Sequence, residues 1–224
     1  VLYSAHVPTP PSRPSSKQPA SWAYAEQFVP EDEVLQRARA RAADLGVEPV
    51  SPGVAATLTV LAAASRARTV VEVGTGTGVA LLSLLRGTGE DGVVTTIDPD
   101  GEAQRAAREA VTDDGIRSNR ARFINGRALE VLPRLTDSAY DLVLLDGDER
   151  ENSAYLEQAH RLLRPGGLLV VDDALWKGRV VDPAARDAST VAQREVARVV
   201  LEDGHWFPTL VPSGDGLLLA VKNS

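Results

Sequence analysis

From Thr69 onward the chain alternates short apolar runs rich in β-branched residues with longer segments whose apolar positions recur every three or four residues. The short runs predict buried strands at 69–73, 93–98, 121–125, 140–145 and 167–172. The longer segments predict helices at 78–86, 101–112, 127–135, 151–163 and 184–202. A terminal pair of strands at 206–211 and 216–222 follows, joined by the turn-forming Pro212-Ser213-Gly214-Asp215-Gly216. Upstream, a helix is expected over 31–45, opening after Pro30 with acidic residues at its positive end and closing at Gly46, and another over 52–64. The proline- and serine-rich residues 1–20 read as a flexible, extended leader. Repeated strand–helix units with short connections require a mostly parallel sheet with helices on both faces. The expected fold is therefore α/β: one domain over 21–224, with a doubly wound, seven-stranded sheet closed by an antiparallel C-terminal hairpin.

One junction in this alternation carries chemistry. The strand Val70-Val71-Glu72-Val73 runs into Gly74-Thr75-Gly76-Thr77-Gly78, and the next strand ends on Asp98. Glycines there let backbone approach a ligand closely, while an acid about 20 positions on suits the two hydroxyls of a ribose. A nucleoside-containing cofactor is the consequence. A dinucleotide turn wants GxGxxG, but the third position here is Val79. That spacing, with no evident proton donor at the strand ends, weakens a nicotinamide-dependent oxidoreductase.

Composition narrows the partners. A chain of 224 residues with 43% hydrophobic and 25% charged residues suits one soluble domain. The net charge of -7 opposes a grip on nucleic acid, which needs clustered Lys and Arg. No Asn-Pro-Pro-aromatic sequence supports nucleic-acid methylation either. With no cysteine there is no disulfide, thiolate nucleophile or sulfur-ligated zinc, which fits a cytoplasmic protein. No apolar run is long enough to span a membrane, and residues 1–20 lack the apolar core of a secretory signal. His6 lies in the leader, and His160 and His205 read as isolated surface or packed residues.

A second set of acids falls at strand ends. Asp141-Leu142-Val143-Leu144-Leu145 ends at Asp146, and Gly167-Leu168-Leu169-Val170-Val171 ends at Asp172-Asp173. Adjacent parallel strands ending in acids bring their carboxylates to the sheet edge where the glycine turn lies. Such oxygen donors suit Mg²⁺ or another hard divalent cation, although strand-end acids also cap helices or accept backbone hydrogen bonds. Trp176 reads either as an aromatic wall for a planar acceptor or as core, and Trp22, Tyr24, Tyr155 and Trp206 are the other rings available to a pocket.

As a set, Glu72, the GxGxG turn and Asp98 resemble motif I of the S-adenosylmethionine-dependent methyltransferases of Rossmann-like fold. Gly126-Arg127-Ala128-Leu129-Glu130-Val131-Leu132-Pro133 looks like the GDALEVLP element of one branch. Asp146-Gly147-Asp148, Asp172-Asp173-Ala174-Leu175-Trp176-Lys177-Gly178 and the turn at 212–216 resemble the cation-dependent O-methyltransferases of the catechol and caffeoyl-CoA type. The resemblance implies methyl transfer from S-adenosylmethionine to a hydroxyl of a small, catechol-like or phenolic acceptor, in a homodimer. It implies Val50, Glu72, Gly74, Thr75, Gly76, Asp98, Gly126, Ala128 and Asp146 as cofactor contacts. Asp146, Asp172 and Asp173 are implied as metal ligands, and Asp146 as the catalytic residue. Three positions depart from that family: Arg127 stands where aspartate is usual, Asp173 where asparagine is, and Glu149 where lysine is. These departures motivate an alternative, a cofactor-binding homologue with altered or lost metal-dependent catalysis.

Overall fold

The computed structural model describes residues 18–223. The elements in chain order are α1 (Gln18–Glu26), α2 (Glu33–Leu45), α3 (Pro52–Ala64), β1 (Thr69–Val73), α4 (Val79–Gly87), β2 (Val93–Asp98), α5 (Gly101–Asp113), β3 (Ala121–Asn125), α6 (Ala128–Val131), β4 (Tyr140–Leu145), α7 (Asn152–Leu162), β5 (Leu163–Val171), α8 (Ala188–Glu202), β6 (Trp206–Val211) and β7 (Leu217–Lys222). The seven strands form one sheet in the order β3-β2-β1-β4-β5-β7-β6, parallel from β3 through β5, with β7 antiparallel to both neighbours. This is the doubly wound architecture that the alternation predicts. Strand order reverses between β1 and β4, and the crevice outside their carboxyl ends is the place such sheets offer to a ligand.

The sheet separates two cores because successive side chains of a strand point to opposite faces. Val70, Val94, Leu142 and Val170 pack on one face with Leu58, Leu81 and Leu84 of α3 and α4. Val71, Val73, Val143 and Leu145 pack on the other with Leu156, Leu162 and Val196 of α7 and α8. Strands buried on both faces read as continuous apolar runs, which explains their legibility. By the same alternation Glu72 points toward the Val70 face, an acid inside the core.

Helix starts are set by side-chain caps. The carboxylates of Asp32, Asp100 and Asp187 accept hydrogen bonds from Leu35 N, Ala103 N and Thr190 N, and Ser51 Oγ accepts from Val54 N. These caps correct two expected boundaries, moving the first helix from 31 to Glu33 and the last from 184 to Ala188. The expected helix 127–135 stops as α6 at Val131 and continues as a 3₁₀ turn, Leu132–Arg134, because Pro133 lacks the amide that an α-helix uses. β5 starts at Leu163 rather than 167, and the irregular register between Tyr140 and Leu142 accommodates Pro165 in it.

α1 occupies residues 18–26, so its first residues fall in the segment expected to be extended; the leader at 1–17 lies outside the described residues. Its anchor is tertiary. The Glu26 carboxylate accepts hydrogen bonds from Ser51 Oγ (2.6 Å), Gly53 N (3.0 Å), Ser213 Oγ (3.0 Å) and Gly214 N (2.7 Å), tying α1 to the start of α3 and to the β6–β7 turn. Among the described residues no helix is long and apolar enough to cross a membrane.

Candidate active site

β1 delivers the chain to the crevice at Gly74, whose φ of +92° lies in the region open mainly to glycine. The turn then folds over the end of β2. Gly76 N donates to Asp98 Oδ2 at 3.0 Å, and Asp100 N donates to Asp98 Oδ1 at 2.8 Å. Each oxygen of Asp98 keeps a further lone pair, so the carboxylate is fixed in place while still able to accept from a ligand. Thr75 and Thr96 share a buried hydrogen bond of 2.6 Å between their hydroxyls, which pins the turn to β2.

A cavity opens beside this turn, lined by Gly74, Thr75, Gly76, Asp98, Asp146 and Val50 among the expected residues. The segment Val47-Glu48-Pro49 and the α4 start at Val79 and Ala80 complete it. Only Val50 of that covering segment was anticipated, because such a loop contributes shape and backbone rather than a characteristic side chain. Glu72 is fully buried beneath the turn and does not line the cavity. Gly126 sits beside Asp98, its amide donating to the Asp98 carbonyl at 3.1 Å, and Ala128 is buried at the start of α6; neither lines the cavity. Arg127 turns to Glu151 (2.5 Å), which also accepts from the Tyr155 hydroxyl (2.6 Å).

The acids at the strand ends are electrostatically strained. Burial raises Asp146 well above the ordinary carboxylate range, and the charges of Asp172 and Asp173 raise it further. Burial also raises Asp172, with Asp173 as the next cause, and one of its oxygens, Oδ1, is buried without a hydrogen-bond partner. Asp173 is pushed up to about 6 by burial and then by Asp215 and Glu149. Glu149 is half-buried, is raised by burial, and has no ion-pair partner among the described residues. Thus the sheet edge gathers carboxylates faster than cations to balance them.

These donors have the hard-oxygen chemistry of a divalent-cation site, and the orphaned Asp172 oxygen is a vacant acceptor. Among the described residues, however, no group of three or more His, Asp or Glu stands close enough to hold a metal. The fit is chemical rather than geometric.

The loop after β5 is held in an uncommon conformation. Asp173, Trp176 and Lys177 have φ of +52°, +48° and +54°, a region costly for residues other than glycine. Gln193 of α8 donates to the Asp173 carbonyl at 3.1 Å, and Asp215 accepts from the Lys177 amide. The Lys177 ammonium lies 5.7 Å from the Trp176 ring centre and 3.5 Å from Glu48, reaching from this loop to the segment that covers the cavity. Trp176 is half-buried, outside both cores. Gln193 carried no sequence signal, since nothing in a helical glutamine marks what it will touch.

A family profile described as O-methyltransferase matches residues 25–223. This chain belongs to the O-methyltransferase family. A relative from Mycobacterium sp. (strain JLS), whose name places it among the O-methyltransferases, is 48% identical over 98% of this chain and 100% of its own length. The O-methyltransferase TomG from Streptomyces achromogenes, involved in tomaymycin synthesis and solved in complex with SAM, superimposes with a TM-score of 0.83 at 26% identity, covering 92% of this chain and 99% of that one. Cofactor-bound Rv0187 from MTB has a TM-score of 0.82 at 29% identity over 95% of this chain and 100% of its own.

Proposed function

We propose that this O-methyltransferase moves the methyl group of S-adenosylmethionine to a hydroxyl oxygen of a small, phenolic or catechol-like acceptor. The observation that carries the reading is the Gly74–Thr77 turn with Asp98 locked to Gly76 N at 3.0 Å and Asp146 lining the same cavity beside Gly74. The SAM complex of TomG supports it. When bound, the cofactor supplies a methyl already activated by its sulfonium, so the protein's task is alignment and charge rather than covalent catalysis.

Each residue has a part in that task. Asp98 accepts the ribose hydroxyls with the lone pairs that Gly76 and Asp100 leave free. Val50 and the neighbouring Val47-Glu48-Pro49 cover the cofactor, while Thr75 keeps the turn rigid through Thr96. Glu72, Gly126 and Ala128 shape the site from outside the cavity wall. Asp146 faces both cofactor and acceptor and is the catalytic residue of this reading.

A divalent cation such as Mg²⁺ belongs to the same proposal. Asp146, Asp172 and Asp173 would hold it through carboxylate oxygens once drawn closer together than they stand here, and it would lower the pKa of an acceptor phenol. Glu149, in place of the usual lysine, motivates the second reading, a homologue that binds the cofactor without turnover. Methyl transfer from labelled S-adenosylmethionine to a panel of catechols and other phenols, with Mg²⁺ or with EDTA, separates these. An O-methylated product lost in EDTA and restored by Mg²⁺ supports the full reading. Equal rates in both conditions remove the cation, and cofactor binding by calorimetry with no product from any acceptor leaves the second reading. The homodimer implied by the resemblance is tested by light scattering.

A further inference from the structure

A second cavity, of about 330 Å³, opens between α7 and α8, away from the glycine turn. That volume lies at the lower end of small-ligand pockets, ~300–1,000 Å³. Its floor is apolar: Leu156, Val196 and Trp206 line it and are otherwise buried. Its rim carries Glu157, Glu195, Asp203 and His160. Positions 153, 156, 157 and 160 form one stripe of α7, and Trp206, the first residue of β6, closes the groove.

The charges on the rim do not cancel. Glu195 is neutralised by Arg198 at 2.6 Å, but Glu157 has no ion-pair partner among the described residues, and Asp203 has only the His205 imidazole, 3.6 Å away. The two histidines that the sequence left isolated meet here, their ring centres 5.3 Å apart and their planes tilted by 52°. The His160 ring also meets Trp206 edge-on at 5.5 Å. Burial, with Lys222 and His205 nearby, lowers the pKa of His160, so the imidazole adds no positive charge near neutral pH. The Lys222 ammonium keeps its charge but donates to the His160 and Leu163 carbonyls, at 2.7 and 2.9 Å, and forms no ion pair with either Glu157 or Asp203. An apolar, aromatic floor beneath two carboxylates that lack a Lys or Arg ion-pair partner among the described residues is the result.

We propose that this groove binds a small organic cation, an ammonium or amidinium carried on a flat apolar body. The body packs on Leu156, Val196 and Trp206, while the charge sits between Glu157 and Asp203. An uncharged ligand of the same shape keeps the apolar contact and loses the ion pair, and an anion is repelled.

The test is a titration of the ¹⁵N-labelled full chain, saturated with S-adenosylhomocysteine to block the cofactor cleft, read at the Trp206 indole N–H. The probes are 2-phenylethylamine and benzamidine, with 2-phenylethanol and phenylacetate as their uncharged and anionic counterparts. The cations are expected to shift the Trp206 signal saturably and to bind about fivefold more tightly than the alcohol, a ratio at the upper end of what one exposed ion pair supplies. The exposed double change Glu157→Gln/Asp203→Asn should reduce amine binding about fivefold and leave the alcohol unaffected. Equal binding of amine, alcohol and acid overturns the proposal, as does no saturation by about 20 mM, where a fragment gains too little to count as a ligand. Shifts confined to the Gly74–Thr77 turn overturn it too.

Discussion

Gly74 approaches Asp146 so closely that a β-carbon on the glycine would lie 1.8 Å from the aspartate's carbonyl oxygen. The two residues directly follow β1 and β4, the strands between which the sheet order reverses, and the Asp146 amide donates to the Val73 carbonyl at 2.9 Å. The first glycine of the candidate cofactor turn and the candidate catalytic carboxylate are therefore held in fixed register by backbone alone. A site whose work is alignment has reason to be built this way.

Gly74→Ala should accordingly fail twice. The residue needs φ of +92°, and the added methyl meets backbone that cannot swing aside. A loss of about 3 kcal/mol or more in urea unfolding is expected, from strain and overpacking together, with S-adenosylhomocysteine affinity reduced more than about tenfold. Gly89→Ala is the control: φ is +61° but nothing lies within 4 Å, so only backbone strain of about 1 kcal/mol should be seen. Equal effects of the two substitutions would refute the close-approach argument.

Glu72 gives the stability curve a slope that can be read. The Thr75 and Thr96 hydroxyls beside it bond each other, neither Glu72 oxygen has a partner of hydrogen-bond geometry, and burial, opposed in part by the nearby Thr96, pushes its pKa from 4.5 to about 8. Below pH 4.5 the group is protonated whether folded or unfolded. Between 4.5 and 8 the unfolded chain releases the proton and the fold retains it, so stability falls as pH rises, by about 3 kcal/mol at pH 7. Glu72→Gln removes that titration. Urea unfolding at pH 5, 6.5 and 8 should show a flatter profile for the variant and a relative gain at pH 8; parallel profiles would mean that Glu72 is ionised in the fold.

What the sequence disclosed and what it hid follow from the range of the interactions. Strands buried on both faces are mostly apolar, so 69–73 and 140–145 stood out despite Glu72 and Asp141, and strand ends then placed Asp98, Asp146 and Asp172 at one edge without further information. Pro133 broke a helix whose apolar spacing looked continuous. α1 has little amphipathic signal because its hold on the protein is one carboxylate reaching segments far along the chain. The turn at 74–78 announced itself through glycines, whereas Val47-Glu48-Pro49 reaches the cavity by position alone. His160 and His205 meet only because α7 and the start of β6 are brought together.

Glu26 is the residue on which that hold can be tested. Its carboxylate accepts four hydrogen bonds, and despite the opposing effect of burial these lower its pKa, Ser51 contributing most. The stabilisation is therefore present above the unfolded pKa near 4.5 and is lost as pH falls through the lower folded value. Glu26→Ala should cost about 2 kcal/mol at pH 7, the scale of hydrogen bonds to a charged group. The difference from wild type should shrink in acid. Amides of α1 should exchange with deuterium faster in the variant while those of β1 and β4 do not; slow exchange throughout α1 would show that the helix is held by something else.

Gln193 decides whether the strained loop matters to the reaction. It is buried, accepts from Asn152 Nδ2 at 3.2 Å and donates to the Asp173 carbonyl at 3.1 Å, linking α7, α8 and the loop after β5. Asp173 is a non-glycine residue at φ +52°, a conformation that costs about 1–3 kcal/mol unless its surroundings impose it. Gln193→Leu keeps the volume, removes that imposition and leaves the Asn152 amide unpaired, at a cost of about 2 kcal/mol. The cofactor turn is untouched by the change. Affinity for S-adenosylhomocysteine should hence stay within about twofold while kcat for methyl transfer falls more than about tenfold, because the Asp173 carboxylate is released from its position. A parallel loss of both would mark Gln193 as a folding residue only. Unchanged turnover at reduced stability would separate the loop's strain from catalysis.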